Sequence, residues 1–240
     1  YNGEMQYPTA TLKDTVLIAG DECIVTVTGA KDAGKDIVST VVSISNDNYT
    51  LEGADAENLT AKFTIKPKEI ELEWNDLTFE YDGASHIPTA TVKADGLFGG
   101  DEVLVTVTGD GIAVGTYTAG ATALSNGNYA LPEVAEHEFS ITARKVVLSW
   151  GEFTFEYNGL EQTPQFEFTN RVGEDDVTVV LTVSCPSAGE GDGEIPESRE
   201  GVQSVNVGKY VANLTLSGTS ANNYELDTTD LTKEYEITPK

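Results

Sequence analysis

The 240-residue chain is poor in the side chains from which chemistry is usually built: two cysteines, two histidines, two tryptophans, one methionine, and 14 Lys and Arg against 40 Asp and Glu. Two cysteines give no CxxC metal pair and no disulfide framework. His86 and His137 fall at unrelated points, which leaves a Ser-His-Asp or His-metal arrangement almost nothing to work with. Gly-x-Ser-x-Gly, P-loop and dinucleotide fingerprints are missing. A net charge of −26 repels phosphate backbones and anionic membrane surfaces, so neither nucleic acid nor membrane insertion is expected. Calcium wants several oxygens from one loop, in a D-x-D-x-D-G spacing that is absent. The Gly-Asp-Glu turns and Asn46-Asp47-Asn48 supply two or three oxygens each, which turn chemistry explains. No catalytic, cofactor-binding or metal-ligating residue is therefore nominated, no cofactor is expected, and the chain reads as no enzyme.

What the sequence has instead is repetition. Tyr1-Asn2-Gly3, Tyr81-Asp82-Gly83 and Tyr157-Asn158-Gly159 open three stretches whose later landmarks recur in order. An acidic turn follows each, at Gly20-Asp21-Glu22, Gly100-Asp101-Glu102 and Gly173-Glu174-Asp175-Asp176. Then come Tyr49, Tyr129 and Tyr224, each preceded by asparagine. Phe63-Thr64-Ile65, Phe139-Ser140-Ile141 and Tyr235-Glu236-Ile237 close the copies. The segments that end in Trp74 and Trp150 begin the second and third. The boundaries read as 1–67, 68–143 and 144–240, the last with an inserted loop at 186–201. The chain opens at Tyr1 without such a tryptophan segment, so the first copy is expected to lack its first strand and to carry an unpaired edge, as in a fragment of a longer protein with further copies. Copied modules act by extending, spacing or presenting surfaces, whereas an active site is normally assembled once from distant segments.

Threonine, valine and tyrosine are plentiful, glycine numbers 23, and helical runs are absent, which suits short strands joined by tight turns. Cys23, Val25 and Val27 alternate with Ile24, Thr26 and Thr28. Val103, Val105 and Val107 do the same in the second copy, and Val177, Val179, Leu181 and Val183 in the third, giving each an apolar face. Cys23 shares that inward position with Val103 and Val177, so it reads as a small core hydrophobe. Cys185 has no counterpart in the first copy. A bridge between the two would have to span an intervening module, although linked Cα atoms must lie within about 7 Å. Trp74 and Trp150 recur beside alternating strands and read as core or inter-module packing rather than sugar platforms. Tyr49, Tyr129 and Tyr224 read as turn anchors working through their hydroxyls. The acidic, glycine-rich stretch from Cys185 to Gly201 is where recognition would be grafted if it exists. Sequons start at Asn48, Asn58 and Asn213, and matter only where a host glycosylates them.

The order Trp, Phe-x-Tyr-Asp/Asn-Gly, Pro, Gly-Asp-Glu-Val-x-Val-x-Val, Val-Gly-x-Tyr, Asn-Tyr-x-Leu, Phe-x-Ile resembles the MBG/YDG-type repeats, mostly β and glycine-rich, of large bacterial surface proteins and adhesins. Val114-Gly115-Thr116-Tyr117 and Val207-Gly208-Lys209-Tyr210 follow the pattern, while the first copy departs with Gly34-Lys35-Asp36-Ile37. The resemblance implies stalk or spacer domains at a bacterial cell surface or outside the cell, and it carries no catalytic residue. The expected fold is all-β, three small immunoglobulin-like β-sandwich modules in an elongated array, with β-grasp-like modules as the alternative. The expected function is a non-enzymatic stalk, built as a monomer and stiffened by the short joints Lys66-Pro67-Lys68 and Thr142-Ala143-Arg144. The alternatives are a module binding host glycan or surface protein multivalently, and an accessory region of an extracellular polysaccharide-degrading enzyme.

Overall fold

The computed structural model describes residues 1–13, 16–185 and 203–240. The inserted loop 186–201 lies outside the described residues. The described chain is almost entirely strand and turn, with three single-turn 3-10 segments at Ala56–Asn58, Ala94–Gly96 and Ala221–Asn223. The all-β expectation holds at this level.

The chain divides into two compact units. One comprises Tyr1–Asp76, Ile87–Gly109 and Thr118–His137; the other comprises Leu77–His86, Asp110–Tyr117 and Glu138–Lys240. In the first unit, Val25–Val27, Gly34–Ile44 and Thr60–Ile65 form an antiparallel sheet with the long strand in the middle. The departure Gly34-Lys35-Asp36-Ile37 appears there as a slip in register between Gly34 and Ile37, with Asp36 in the left-handed region at φ 53°. The first copy has one residue more between its glycine and the next apolar position than Gly115-Thr116-Tyr117, and a bulge absorbs the surplus. Leu72–Asn75 pairs antiparallel with Thr89–Val92, placing Trp74 opposite Ala90. Val105–Thr108 pairs antiparallel with residues 120–124, and Lys68–Glu69 runs parallel to Tyr129–Ala130. Ile65, Ile70, Ala90, Ala121 and Tyr129 are buried in this unit.

The second unit contains a four-stranded sheet in the order Thr154–Glu156, Thr232–Thr238, Gly208–Ser217, Thr178–Ser184. The first of these pairs is parallel and the other two are antiparallel. Alternation decides its faces, because successive side chains leave a strand on opposite sides. Val177 and Val183 are buried while Thr178, Val180 and Thr182 are exposed. Val183, Tyr210, Ala212, Tyr235 and Ile237 form the core, with Phe153, Phe155 and Leu181 packed against it. Thr78–Glu80 runs parallel to residues 140–142, and Leu148–Trp150 pairs antiparallel with Phe166–Phe168.

Two expectations meet a correction or a refinement in the first copy. Thr9-Ala10-Thr11-Leu12 repeats Thr89-Ala90-Thr91-Val92, yet residues 9–12 form no strand, whereas Thr89–Val92 pairs with Leu72–Asn75. An open hollow of ≈700 Å³ lies there instead, lined by Tyr7, Ala10, Leu12, Leu17, Cys23 and Val25 among others. Cys23 is half-buried rather than core, as is Val103 at the matching position of the second copy, whereas Val177 at that position of the third is only 2% exposed. Cys23 and Cys185 are both free thiols, and Cys185 is exposed.

Candidate functional site

The three acidic turns are closed by the same hydrogen bond, with glycine supplying left-handed backbone at different places: one residue before the aspartate at Gly20 and Gly100, φ 97° and 81°, and two residues before it at Gly173, φ 46°. The aspartate amide then bonds back three residues: Asp21 to the Ile18 carbonyl at 3.0 Å, Asp101 to Phe98 at 2.8 Å, Asp175 to Val172 at 3.0 Å. Onto each turn comes the tyrosine of the Asn-Tyr landmark. Its hydroxyl accepts from the amide that opens the turn and donates to the aspartate that closes it. Tyr49 takes the Ile18 amide at 2.8 Å and gives to Asp21 at 2.7 Å. Tyr129 takes Phe98 at 2.9 Å and gives to Asp101 at 2.8 Å. Tyr224 takes Val172 at 2.8 Å and gives to Asp175 at 2.6 Å. The turn-anchor reading of these tyrosines is thus what the atoms show, and each phenol satisfies one donor and one acceptor that the turn leaves over.

Sequence reasoning missed a second phenol. Tyr1 donates to Asp101 at 2.7 Å, and Tyr81 donates to Asp175 at 2.9 Å. The opening tyrosine of one copy therefore reaches the acidic turn of the next, across about a hundred residues of sequence, in each case within one compact unit. Its ring packs edge-on against the anchor tyrosine, at 5.4 Å for Tyr1 on Tyr129 and 5.7 Å for Tyr81 on Tyr224, a favoured aromatic geometry.

Glycine two residues on lets the backbone close in. Gly3 and Gly83 sit at φ 80° and 79°, and a Cβ on either would stand 2.8 Å from Phe98 Cβ or 2.7 Å from Val172 Cγ1. The asparagine before the anchor tyrosine completes the junction: Asn128 Oδ1 accepts the Ala33 amide at 2.7 Å, and Asn223 Oδ1 accepts the Val114 amide at 3.0 Å. A short parallel ladder runs beside it. Lys68–Glu69 pairs with Tyr129–Ala130, and Arg144–Lys145 with Tyr224–Glu225. The Ile70 and Val146 amides then bond to Ala130 and Glu225, and both side chains are buried. The signal that could have revealed the junction is the joint recurrence of Tyr-x-Gly, Gly-Asp and Asn-Tyr.

Electrostatics follow from these contacts. Hydrogen bonds from Tyr1 first and Tyr129 second hold the Asp101 carboxyl below the usual carboxylate range. The Tyr1 phenol is pushed up to about 12, chiefly by its bond to Asp101. Tyr224 is pushed up to about 12 by burial, with Asp175 second. Burial likewise leads in raising Tyr81 and Tyr129. At Tyr49 the Ile18 amide pulls the phenol down, but Asp21 and burial together outweigh it and raise it.

The remaining candidates are occupied elsewhere. His86 Nε2 lies 2.8 Å from Asp82 and its ring stacks on Phe79, while Ser85 Oγ turns to Asp110, so serine and imidazole are not paired. His137 faces Trp74 at 5.8 Å. Trp150 is flanked by Phe153 and Phe166 at 5.4 and 5.3 Å, and its Nε1 is buried without an acceptor among the described residues. Among the described residues no three His, Cys, Asp or Glu side chains gather in a metal-holding group. No helix among the described residues is long and apolar enough to cross a membrane. Asn213 bonds Ser184 Oγ at 2.9 Å, whereas Asn48 and Asn58 are exposed. Comparison with known proteins finds no matching family model, no matching curated protein and no matching solved structure.

Proposed function

We propose that the chain is a non-enzymatic spacer region: three immunoglobulin-like β-sandwich modules, 1–67, 68–143 and 144–240, set in an elongated array of the kind found in MBG/YDG-type surface proteins. The observation that carries this reading is the duplicated junction. Two phenols on one carboxylate, an asparagine clasp and a parallel backbone ladder recur at both joints. A directional hydrogen-bond set of this kind restrains the angle between neighbours as well as the distance, and a stalk needs both. The resemblance of the repeat supports a location at a bacterial cell surface or outside the cell, and an acidic surface would keep such a stalk soluble. Trp74 and Trp150 engage neighbouring rings, which favours the spacer over a module that stacks sugars.

Small-angle scattering at low concentration tests the spacer directly. A globule of this length has a radius of gyration of about 18 Å. The spacer requires a value well above that, and a value near it would sink the reading. A reproducible glycan-array signal lost in Trp150→Ala with the fold retained would move the assignment to glycan binding.

A further inference from the structure

In the turn that leads into the anchor tyrosine the three copies differ in chemistry. Asn126-Gly127 stands in the second copy where the first has Asn46-Asp47 and the third has Ala221-Asn222. The first two copies fold alike there. Asn126 Oδ1 accepts the Asn128 amide at 3.0 Å, and the Asn126 carbonyl accepts the Tyr129 amide at 3.2 Å. Asn46 takes the Asn48 amide at 3.0 Å and the Tyr49 amide at 3.1 Å in the same way. An asparagine that bonds the backbone two residues on folds its carboxamide back over the intervening amide nitrogen.

In both turns the amide on Oδ1 draws charge from the carboxamide carbonyl and lies where an oxyanion would develop. Only at Asn126 are attack and departure also unhindered. Gly127 is exposed, its amide donates no hydrogen bond among the described residues, and a Cβ there would meet nothing within 4 Å. Asp47, in its place, adds a side chain beside the nitrogen and a carboxylate that opposes loss of the amide proton. The side-chain nitrogen of Asn46 is held by a 3.1 Å bond to the Glu22 carbonyl. Among the described residues no such bond holds the Asn126 Nδ2.

We propose that Asn126 is a self-modification site, where the chain converts its own asparagine to aspartate and isoaspartate and so loosens the contacts between the first and second copies. The Gly127 nitrogen attacks Asn126 Cγ, the Cγ–Nδ2 bond breaks, and the carboxamide nitrogen leaves as ammonia with the proton that the amide gives up. Water then opens the five-membered imide, at Cγ to give aspartate or at the main-chain carbonyl carbon to give isoaspartate. No other reactant is needed. Isoaspartate routes the main chain through Cβ and Cγ, which makes it one carbon longer just ahead of the junction. There Asn128 Oδ1 holds the Ala33 amide at 2.7 Å, Asn128 Nδ2 gives to Asp32 at 3.0 Å, and Tyr129 gives to Asp101 at 2.8 Å. All of these residues belong to one compact unit. The proposal rests on the turn and the junction contacts and stands apart from the spacer reading, which the dilute radius of gyration tests.

Peptide mapping of the full chain, kept folded in mildly alkaline buffer and sampled over weeks, reads the reaction site by site, and so separates Asn126 from Asn2-Gly3 and Asn158-Gly159 in the opening turns. Asn126 is expected to disappear with release of ammonia, isoaspartate and aspartate forming together, while Asn46 stays intact. Gly127→Ala places its Cβ in open space at a backbone angle outside the left-handed region. It is expected to fold as the unaltered chain does and to lose most of the reaction. The isoaspartyl form, separated by chromatography, is expected to unfold at a lower temperature than Asn126→Asp, which gains the same charge without the longer main chain. Asn126 that stays unchanged in the folded chain, or reacts only in urea, would overturn the proposal. So would aspartate without isoaspartate, an undiminished rate in Gly127→Ala, or equal stability of the isoaspartyl form and Asn126→Asp.

Discussion

Asp101 and Asp175 each accept two phenolic hydroxyls, so the junctions hinge on single carboxylates. Removing the Tyr81 hydroxyl leaves Asp175 with its other phenol and half-buried. Tyr81→Phe is expected to cost roughly 1–2 kcal/mol, the size of one hydrogen bond to a charged group less the bond to water it recovers. Gly83→Ala meets two penalties, a left-handed backbone and a Cβ 2.7 Å from Val172 Cγ1, and is expected to cost more than Tyr81→Phe. Urea unfolding of both variants checks the order. The phenols also give a pH signature. Tyr1 and Tyr224 rise to about 12 when folded, against about 10 in an unfolded chain. The neutral phenol's contribution is therefore complete below about pH 10 and is lost as pH rises from there through about 12. At the acid end the sign reverses. Asp101 is lowered, so its contribution is present above the ordinary aspartate value, about 3.9, and disappears as pH falls through the depressed one. Tyrosinate absorbance near 295 nm, followed with circular dichroism, is expected to show late-titrating phenols ionising together with loss of structure.

At the scale of the strand, the period-two pattern is what the sequence states most clearly, since one buried face forces alternation. The faces of Val25–Val27, Val105–Thr108 and Thr178–Ser184 came out as read, with Ile24 and Leu104 turned outward at 71% and 76% exposed. The anchor tyrosines were legible too, because their partners are turn atoms that the sequence marks with Gly-Asp in two copies and Gly-Glu-Asp in the third. The junction was not. Its two halves lie in different copies, and no local period connects Tyr1 with Asp101 or Tyr81 with Asp175. The Cys23 position was misread because alternation says which way a side chain points and not how fully its neighbours cover it; Val103 at the matching position is half-buried as well. A pair of substitutions in one sheet measures the strength of the alternation. Ile237 is fully buried and Val180 is 38% exposed. Ile237→Ala is expected to cost about 2–5 kcal/mol through lost burial and the cavity left behind, while Val180→Thr stays within about 0.5 kcal/mol. Equal costs in thermal or urea unfolding would show that the two faces are not distinguished by burial.

For the whole chain the dominant electrostatic fact is that 40 acids face 14 bases. The ion pairs among the described residues, such as Lys93 with Glu71 at 2.6 Å and Lys62 with Asp36 at 4.0 Å, are too few to neutralise such a surplus, and exposed pairs of this kind contribute little. Folding gathers the unpaired carboxylates closer together, so self-repulsion weighs on the folded state more than on the expanded unfolded chain. Screening removes that burden: the Debye length shrinks from about 30 Å at about 0.01 M to about 8 Å at about 0.15 M. The junction bonds behave differently, because a neutral phenol on a carboxylate at 2.6–2.9 Å lies well inside the screening distance at either ionic strength. Sodium chloride is therefore expected to raise the unfolding temperature most steeply between about 0.01 and about 0.15 M, and Tyr81→Phe is expected to run parallel to the unaltered chain at a lower temperature. Differential scanning calorimetry across that range separates the two contributions. A midpoint that falls with salt would mean that specific ion pairs outweigh the surplus negative charge, and a gap between the two curves that closes with salt would mean that the phenol–carboxylate bond is itself screened.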